Sequence, residues 1–281
     1  MTKGFRISRA SALLAMLATF TLTVAACDFP GTSGGGGISL SAYDQKDPKD
    51  ILTDAKNALK GTKSMAIKFT AKDPKGQDFG LTITGDGKGN ATGSITSEGV
   101  TAQFISVDGK TYLKGRDFWA KTLGAAASSI PGVLDKIDDN YVDLGSSGDF
   151  SSSFKPFIDP SAFADCLDGI GTPVKNGTDT VNGTKAVVLQ QKDDSGTKLY
   201  VGVDSPHYPV RLAASDASKS FGKSSGGSGQ CSSSSPTPST SSGGTSTDFT
   251  GTATLDLNDF GKTQDIKKPS NIIDLTTLVS G

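Results

Sequence analysis

Between Met65 and Lys72 every second residue is apolar: Met65, Ile67, Phe69 and Ala71 alternate with Ala66, Lys68, Thr70 and Lys72. A strict period of two is the pattern of a strand with one face in a core and one in water, and no helix can segregate these residues. The pattern recurs. Phe79, Leu81 and Ile83 follow a Pro-Lys-Gly turn, and Phe249, Gly251, Ala253, Leu255 and Leu257 alternate with Thr and Asp near the far end of the chain. Further strands are expected at 101–107 and 110–114 around Asp108-Gly109, and at 172–180, 184–192, 198–204 and 208–215. Turns every eight to twelve residues separate the later ones at Val181-Asn182-Gly183, Asp194-Ser195-Gly196 and Ser205-Pro206-His207, as in an antiparallel meander. Residues 85–93 read as a turn-rich link.

Helices punctuate this sheet. Asp47 can cap a helix that opens on Pro48, places Ile51, Leu52, Ala55, Ala58 and Leu59 on one face and stops at Gly61. From Trp119 to Asp138 the apolar spacing is loosely helical and broken at Pro131-Gly132, and Asp159-Pro160-Ser161 opens a short helix through Leu167.

The 26 residues from Gly222 to Thr247 contain 23 Gly, Ser, Thr or Pro, too little apolar surface to offset the entropy of ordering them. A strand pattern resumes immediately afterwards. The expectation is therefore one domain, 43–281, carrying a disordered insertion at 222–247.

The first 26 residues carry Lys3, Arg6 and Arg9 and no acid, followed by an apolar run from Ala12 to Ala26. That run reads as an export signal, too short for a settled membrane span. Its end, Val24-Ala25-Ala26-Cys27, has the form of a bacterial lipobox, with small residues before a Cys whose sulfur receives diacylglycerol. Residues 1–26 are the expected signal peptide, Cys27 the lipidated N-terminus and 27–42 a Gly- and Ser-rich tether. The expected address is the extracytoplasmic face of a cell membrane. Cys166 and Cys231 remain, and in an oxidising compartment a disulfide between them is favoured over two free thiols. It would close a loop of about 65 residues, for which chain entropy gives about 4 kcal/mol.

Lys plus Arg is 28 against 29 Asp plus Glu, so no basic face stands out and nucleic acid is not expected as a partner. The one His, His207, lies in a hairpin loop without a nucleophile or an orienting acid, and is read as a solvated loop residue. Asp86-Gly-Lys-Gly-Asn90 and the acids of 135–140 lack calcium-loop spacing and read as turn and helix-end chemistry. No enzymatic constellation, metal site or cofactor is expected.

In order along the chain come the lipobox Cys27, Ala58-Leu59-Lys60 ending the first helix, Val107-Asp108-Gly109-Lys110-Thr111-Tyr112, Asp117-Phe118-Trp119 with Leu123-Gly124, and Val181-Asn182-Gly183-Thr184-Lys185. Val203-Asp204, Pro209-Val210-Arg211-Leu212, Phe260-Gly261, Asp265-Ile266 and Pro269 follow. This succession resembles the actinobacterial LppX/LprG lipoproteins within the LolA-like lipid and lipoprotein carriers; the Ser-rich insertion and the Cys pair depart from it. The resemblance implies an α+β fold, a strongly curved antiparallel sheet shaped as a half barrel and covered on its concave face by helices. It also implies an apolar cavity holding the acyl chains of an envelope lipid or glycolipid. Met65, Ile67, Phe69, Leu81, Ile83, Trp119, Val187, Leu189, Val201 and Val203 are the candidate lining. From periodicity alone these residues are simply the core of the domain. A filled-core lipoprotein that partners a membrane transporter is the alternative.

Overall fold

The computed structural model describes residues 42–73, 75–124, 132–145, 157–217 and 249–274. The chain divides into Met1–Ser39 and Leu40–Gly281, and all described residues lie in the second unit. The expected signal peptide, Cys27, most of the tether, the insertion at 222–247 and Cys231 fall outside the described residues.

Among the described residues, twelve strands form one sheet. They are β1 (Ala66–Lys72), β2 (Asp78–Gly85), β3 (Ala91–Ser97), β4 (Val100–Val107), β5 (Lys110–Lys114), β6 (Tyr141–Asp143), β7 (Pro173–Val181), β8 (Thr184–Gln191), β9 (Asp194–Gly202), β10 (Pro209–Ala214), β11 (Thr250–Asn258) and β12 (Ile272–Asp274). Their order is β12-β6-β5-β4-β3-β2-β1-β11-β10-β9-β8-β7. Two meanders, β1 to β6 and β7 to β11, meet where β1 pairs with β11. The result is a large, curved, open antiparallel sheet with a few helices, of α+β class; β12 alone is added parallel, beside β6. The strand after the low-complexity segment thus lies at the centre of the sheet. It is part of the fold rather than an appendage.

Register fixes what the two faces carry. Through successive pairs, Ala102, Ile95, Leu81, Phe69, Leu255, Leu212, Leu199 and Leu189 lie in one row across eight strands. Val142, Leu113, Phe104, Gly93, Ile83, Ile67 and Leu257 form a second row. Gly93 is where the Phe104 ring crosses its neighbour: a Cβ there would come within 2.9 Å of ring carbons and 1.9 Å of the Thr82 carbonyl oxygen. The opposite face of the central strands is polar, with hydroxyl pairs Thr70–Thr254 at 2.7 Å, Thr82–Ser94 at 2.7 Å and Thr96–Thr101 at 2.9 Å. Arg211 grips Asp256 there through Nε and a terminal nitrogen, at 2.5 and 2.9 Å.

Four α-helices are described: α1 (Pro48–Lys60), α2 (Arg116–Leu123), α3 (Val133–Asp138) and α4 (Pro160–Cys166), with 3-10 turns at Ala42–Gln45 and Leu167–Ile170. As expected, Asp47 caps α1, its carboxylate accepting from the Lys49 N–H at 2.9 Å, with Pro48 in the first turn. Asp159 caps α4 in the same way through the Ser161 and Ala162 N–H groups.

Several expectations need correction. The turn-rich link is only Asp86–Asn90, because 91–97 is strand β3; its alternation is carried by Thr, Ser and Gly, and only Ala91 and Ile95 are buried. Asp194-Ser195-Gly196 opens β9 instead of forming the turn, which falls at Lys192-Asp193. Gly251, expected on the apolar face, is exposed at φ 68°, where the β1–β11 register shifts. The three-residue strands β6 and β12 are too short for a periodic signal.

Candidate functional site

The apolar face of the sheet and the helices above it form one cluster. Met65, Ile67, Phe69, Leu81, Ile83, Trp119, Val187, Leu189 and Val201 are all buried in it, and Val203 packs against it half-buried. The structure therefore brings every expected lining residue together on one side of the sheet. Met65, Leu189 and Val201 are 0% exposed, and Phe69 and Trp119, the most accessible of the buried nine, are only 6% exposed. Side chains so fully enclosed are in contact with other protein atoms.

The cover over this face is built in two ways. At one end α1 packs on β7, β9 and α4. Its Ile51, Ala55 and Leu59 are completely buried, with Phe163, Ala164 and Leu167 of α4 and the following turn beside them in the cluster. Ion pairs of Lys60 with Asp165 (3.0 Å) and of Lys56 with Asp168 fasten the two along the solvent side. At the other end α2 packs on β4 and α3. Both helices start at glycines, Gly115 and Gly132, with no side-chain cap. Trp119 is the buried residue of α2, while Phe118, Leu123, Leu134, Leu144 and Ile273 are only half-buried against the cluster.

Two polar atoms are enclosed in the apolar cluster without a hydrogen-bond partner among the described residues, Trp119 Nε1 and the Tyr43 hydroxyl. They differ in surroundings. Burial, then the nearby Asp54 carboxylate, push the Tyr43 phenol well above its ordinary pKa, so an acid lies close even though the hydroxyl is not in hydrogen-bond geometry with it. Trp119 has its aromatic neighbour Phe118 edge-on at 6.2 Å. An indole N–H can only donate.

The 3-10 turn that carries Tyr43 is strapped to the β7–β8 end. Lys175 Nζ donates to the Asp44 and Lys46 carbonyls at 3.0 Å each, and Lys185 Nζ lies 3.5 Å from the buried Asp44 carboxylate. His207 stacks on the Tyr43 ring at 3.8 Å, and its Nδ1 is 3.2 Å from the Gly202 carbonyl. The solvated reading of His207 is thereby corrected: it is a half-buried packing residue. Its contact comes from a segment 164 positions earlier in sequence, which no local pattern could reveal.

The acidic loops behave as turns. Asp86 accepts from the Lys88 and Asn90 N–H groups at 2.7 and 3.1 Å, and Asp135 and Asp138 face Arg116. Among the described residues there is no group of three or more His, Cys, Asp or Glu placed to hold a metal ion, and no helix long and apolar enough to cross a membrane. Cys166 ends α4.

No protein-family profile and no curated protein matches this sequence. Similar solved structures include MucB in complex with MucA(peri), with a TM-score of 0.32 and 14% identity, covering 81% of this chain and 62% of that one. A Pseudomonas aeruginosa MucA/MucB complex gives 0.29 and 13% over 84% and 62%. The LolA superfamily protein NE2245 from Nitrosomonas europaea gives 0.26 and 9% over 79% and 96%. The chain thus spans 62% of the length of the two MucB-complex chains it is similar to.

Proposed function

We propose that this chain is a non-enzymatic cell-envelope lipoprotein, anchored through Cys27 on the extracytoplasmic face. In this reading it holds the acyl chains of a lipid or glycolipid between sheet and helices, for transport or presentation. The sheet acts as a half barrel with the helices on its concave side. The observation that carries the reading is the α2–α3 end, where Phe118, Leu123, Leu134, Leu144 and Ile273 stay half-buried beside a continuous apolar face. Apolar surface left partly wet is stabilised by covering it, and an acyl chain is a ligand that gains only from such cover.

Organic-solvent extraction of the purified domain, followed by mass spectrometry, is the test. Co-purifying acyl lipids and uptake of fluorescent lipid are expected. Protein that repeatedly emerges empty and takes up no fluorescent lipid would overturn the proposal.

A second reading rests on the complete enclosure of Met65, Leu189 and Val201. A core filled in this way suits a structural lipoprotein that partners an envelope transporter, and such a protein takes up no lipid in the same assay.

The anchor is tested separately. Cys27→Ala is expected to abolish metabolic labelling with a palmitate analogue and to leave precursor or released protein; persistent labelling would remove Cys27 from the mechanism. The proposed Cys166–Cys231 bridge, supported by the even cysteine pair of an exported chain, would pin the insertion beside α4. Reductant should then lower the thermal midpoint of wild type and leave Cys231→Ser unchanged.

A further inference from the structure

Trp119 is the single Trp of the chain, 6% exposed, and its Nε1–H has no acceptor among the described residues. A buried donor left unpaired is costly, and such a group in a folded protein calls for an explanation. The helix that carries it could point any apolar residue at β4; Phe or Leu would fill the space without that cost. The indole is donor-only, so the missing group must be an acceptor. Trp119 belongs to the apolar cluster, with the half-buried Phe118 edge-on beside it, at the end of the cover where Leu123 and Leu134 are half-wet. A molecule that reaches this place does so by parting the half-wet α2–α3 cover, and must be mostly apolar and carry an isolated oxygen acceptor.

We infer that Trp119 is a specificity-determining residue whose Nε1–H donates to the carbonyl oxygen of an ester- or amide-linked acyl chain. Acyl lipids joined through a carbonyl are bound in preference to ether lipids or plain hydrocarbons of the same length. The inference rests on the acyl-binding reading above and sharpens it. Tyr43, the other enclosed polar side chain, has an acid beside it and does not pose the same question.

The experiment uses two probes that share headgroup and chain, myristoyl lysophosphatidylcholine and its 1-O-alkyl ether analogue, both below their micelle concentrations. Binding is measured by displacement of a fluorescent fatty acid, and Trp119 emission is recorded in parallel. The ester is expected to bind wild type about three- to tenfold more tightly than the ether, the ratio that one neutral hydrogen bond supplies. Emission should shift to the red with the ester only, as a donating indole N–H lowers the transition energy. In Trp119→Phe the preference should collapse to about one. Were the indole only a packing element, both affinities would fall together and the preference would survive, which overturns the inference. Equal binding of the two probes to wild type with identical emission overturns it too, while leaving acyl binding intact. Failure of wild type to bind either probe removes the acyl-binding reading and this inference with it. If Trp119→Phe does not fold, the emission contrast between ester and ether in wild type decides alone.

Discussion

Above β7 and β9, α1 buries Ile51, Ala55 and Leu59 completely and is capped by Asp47; above β4, α2 has no side-chain cap, buries Trp119 and leaves Phe118 and Leu123 half-wet. Both helices sit on the same sheet face and join the same cluster. The difference lies in what each helix packs against. α1 has a second helix, α4, with the 3-10 turn that follows it, tied to it by Lys60–Asp165 and Lys56–Asp168, and its 13 residues give three turns of apolar stripe. α2 has 8 residues and the 6-residue α3 as its neighbour, too short to bury a full stripe. One end of the cover is a core. The other buries Trp119, Val133 and Ile137 but leaves Phe118, Leu123 and Leu134 half-wet, so less apolar area holds it down.

Core truncation separates the two ends most widely. Leu59→Ala should cost about 2–5 kcal/mol by lost transfer energy and cavity formation, read as a lower midpoint in urea. Leu134→Ala, at a half-buried position on α3, should cost under about 1 kcal/mol in the same titration, because the side chain already touches water. Equal losses would show that the ends are packed alike and would break the comparison.

The caps give a smaller effect. Asp47→Ala should remove about 1 kcal/mol by leaving the Lys49 N–H without its acceptor, and amide hydrogen exchange should speed up over the first turn of α1. Exchange at the first turn of α2 should stay as fast as in wild type, since Gly115 supplies no side-chain acceptor to lose.

The smallest effect concerns how α2 is tied to the β3–β4 turn. Glu98 meets Lys121 of α2 at 2.6 Å and Lys75 at 2.9 Å, and hydrogen bonds and charge from Lys121, then Lys75, hold its carboxyl down at about 2 against an ordinary 4.5. A depressed carboxylate pKa makes this tie fully present above about 4.5 and lost as pH falls through about 2. Lys121 and Lys75 are solvent-exposed and Glu98 only half-buried, so the contribution to global stability is slight. Trp119 lies two residues from Lys121, and its emission should change across that window in wild type and not in Glu98→Gln. A flat wild-type profile would show that the ion pairs do not position α2.

How far the fold was legible follows from how local each signal is. The two-residue period of β1, β2 and β11 depends on residues adjacent in sequence, and so do the Asp-Pro openings of α1 and α4; all were readable. β3 escaped because the neighbours Ile83 and Phe104 provide the apolar bulk around Gly93, leaving a strand of Thr, Ser and Gly that looks like a turn. Asp194-Ser195-Gly196 has turn composition, but pairing with β8 draws it into β9. At the candidate site, the inward residues were identifiable from their alternation. His207 on Tyr43, the Asp44 contacts of Lys175 and Lys185, and the two unpartnered polar atoms were not, since each depends on segments far apart in the chain.

Alternation of apolar and polar residues, by itself, determined that this chain builds a sheet with one buried and one wet face, because side-chain direction in a strand is set by the backbone repeat. The tertiary structure decided the rest: that β11 closes onto β1 to join two meanders, that one end of the helical cover is sealed and the other half-wet, and that the Trp119 N–H is buried without a hydrogen-bond partner among the described residues. Those outcomes turn on which distant segments come together. That choice is made by the total apolar area each pairing buries and the polar groups it satisfies, and no local window contains either quantity.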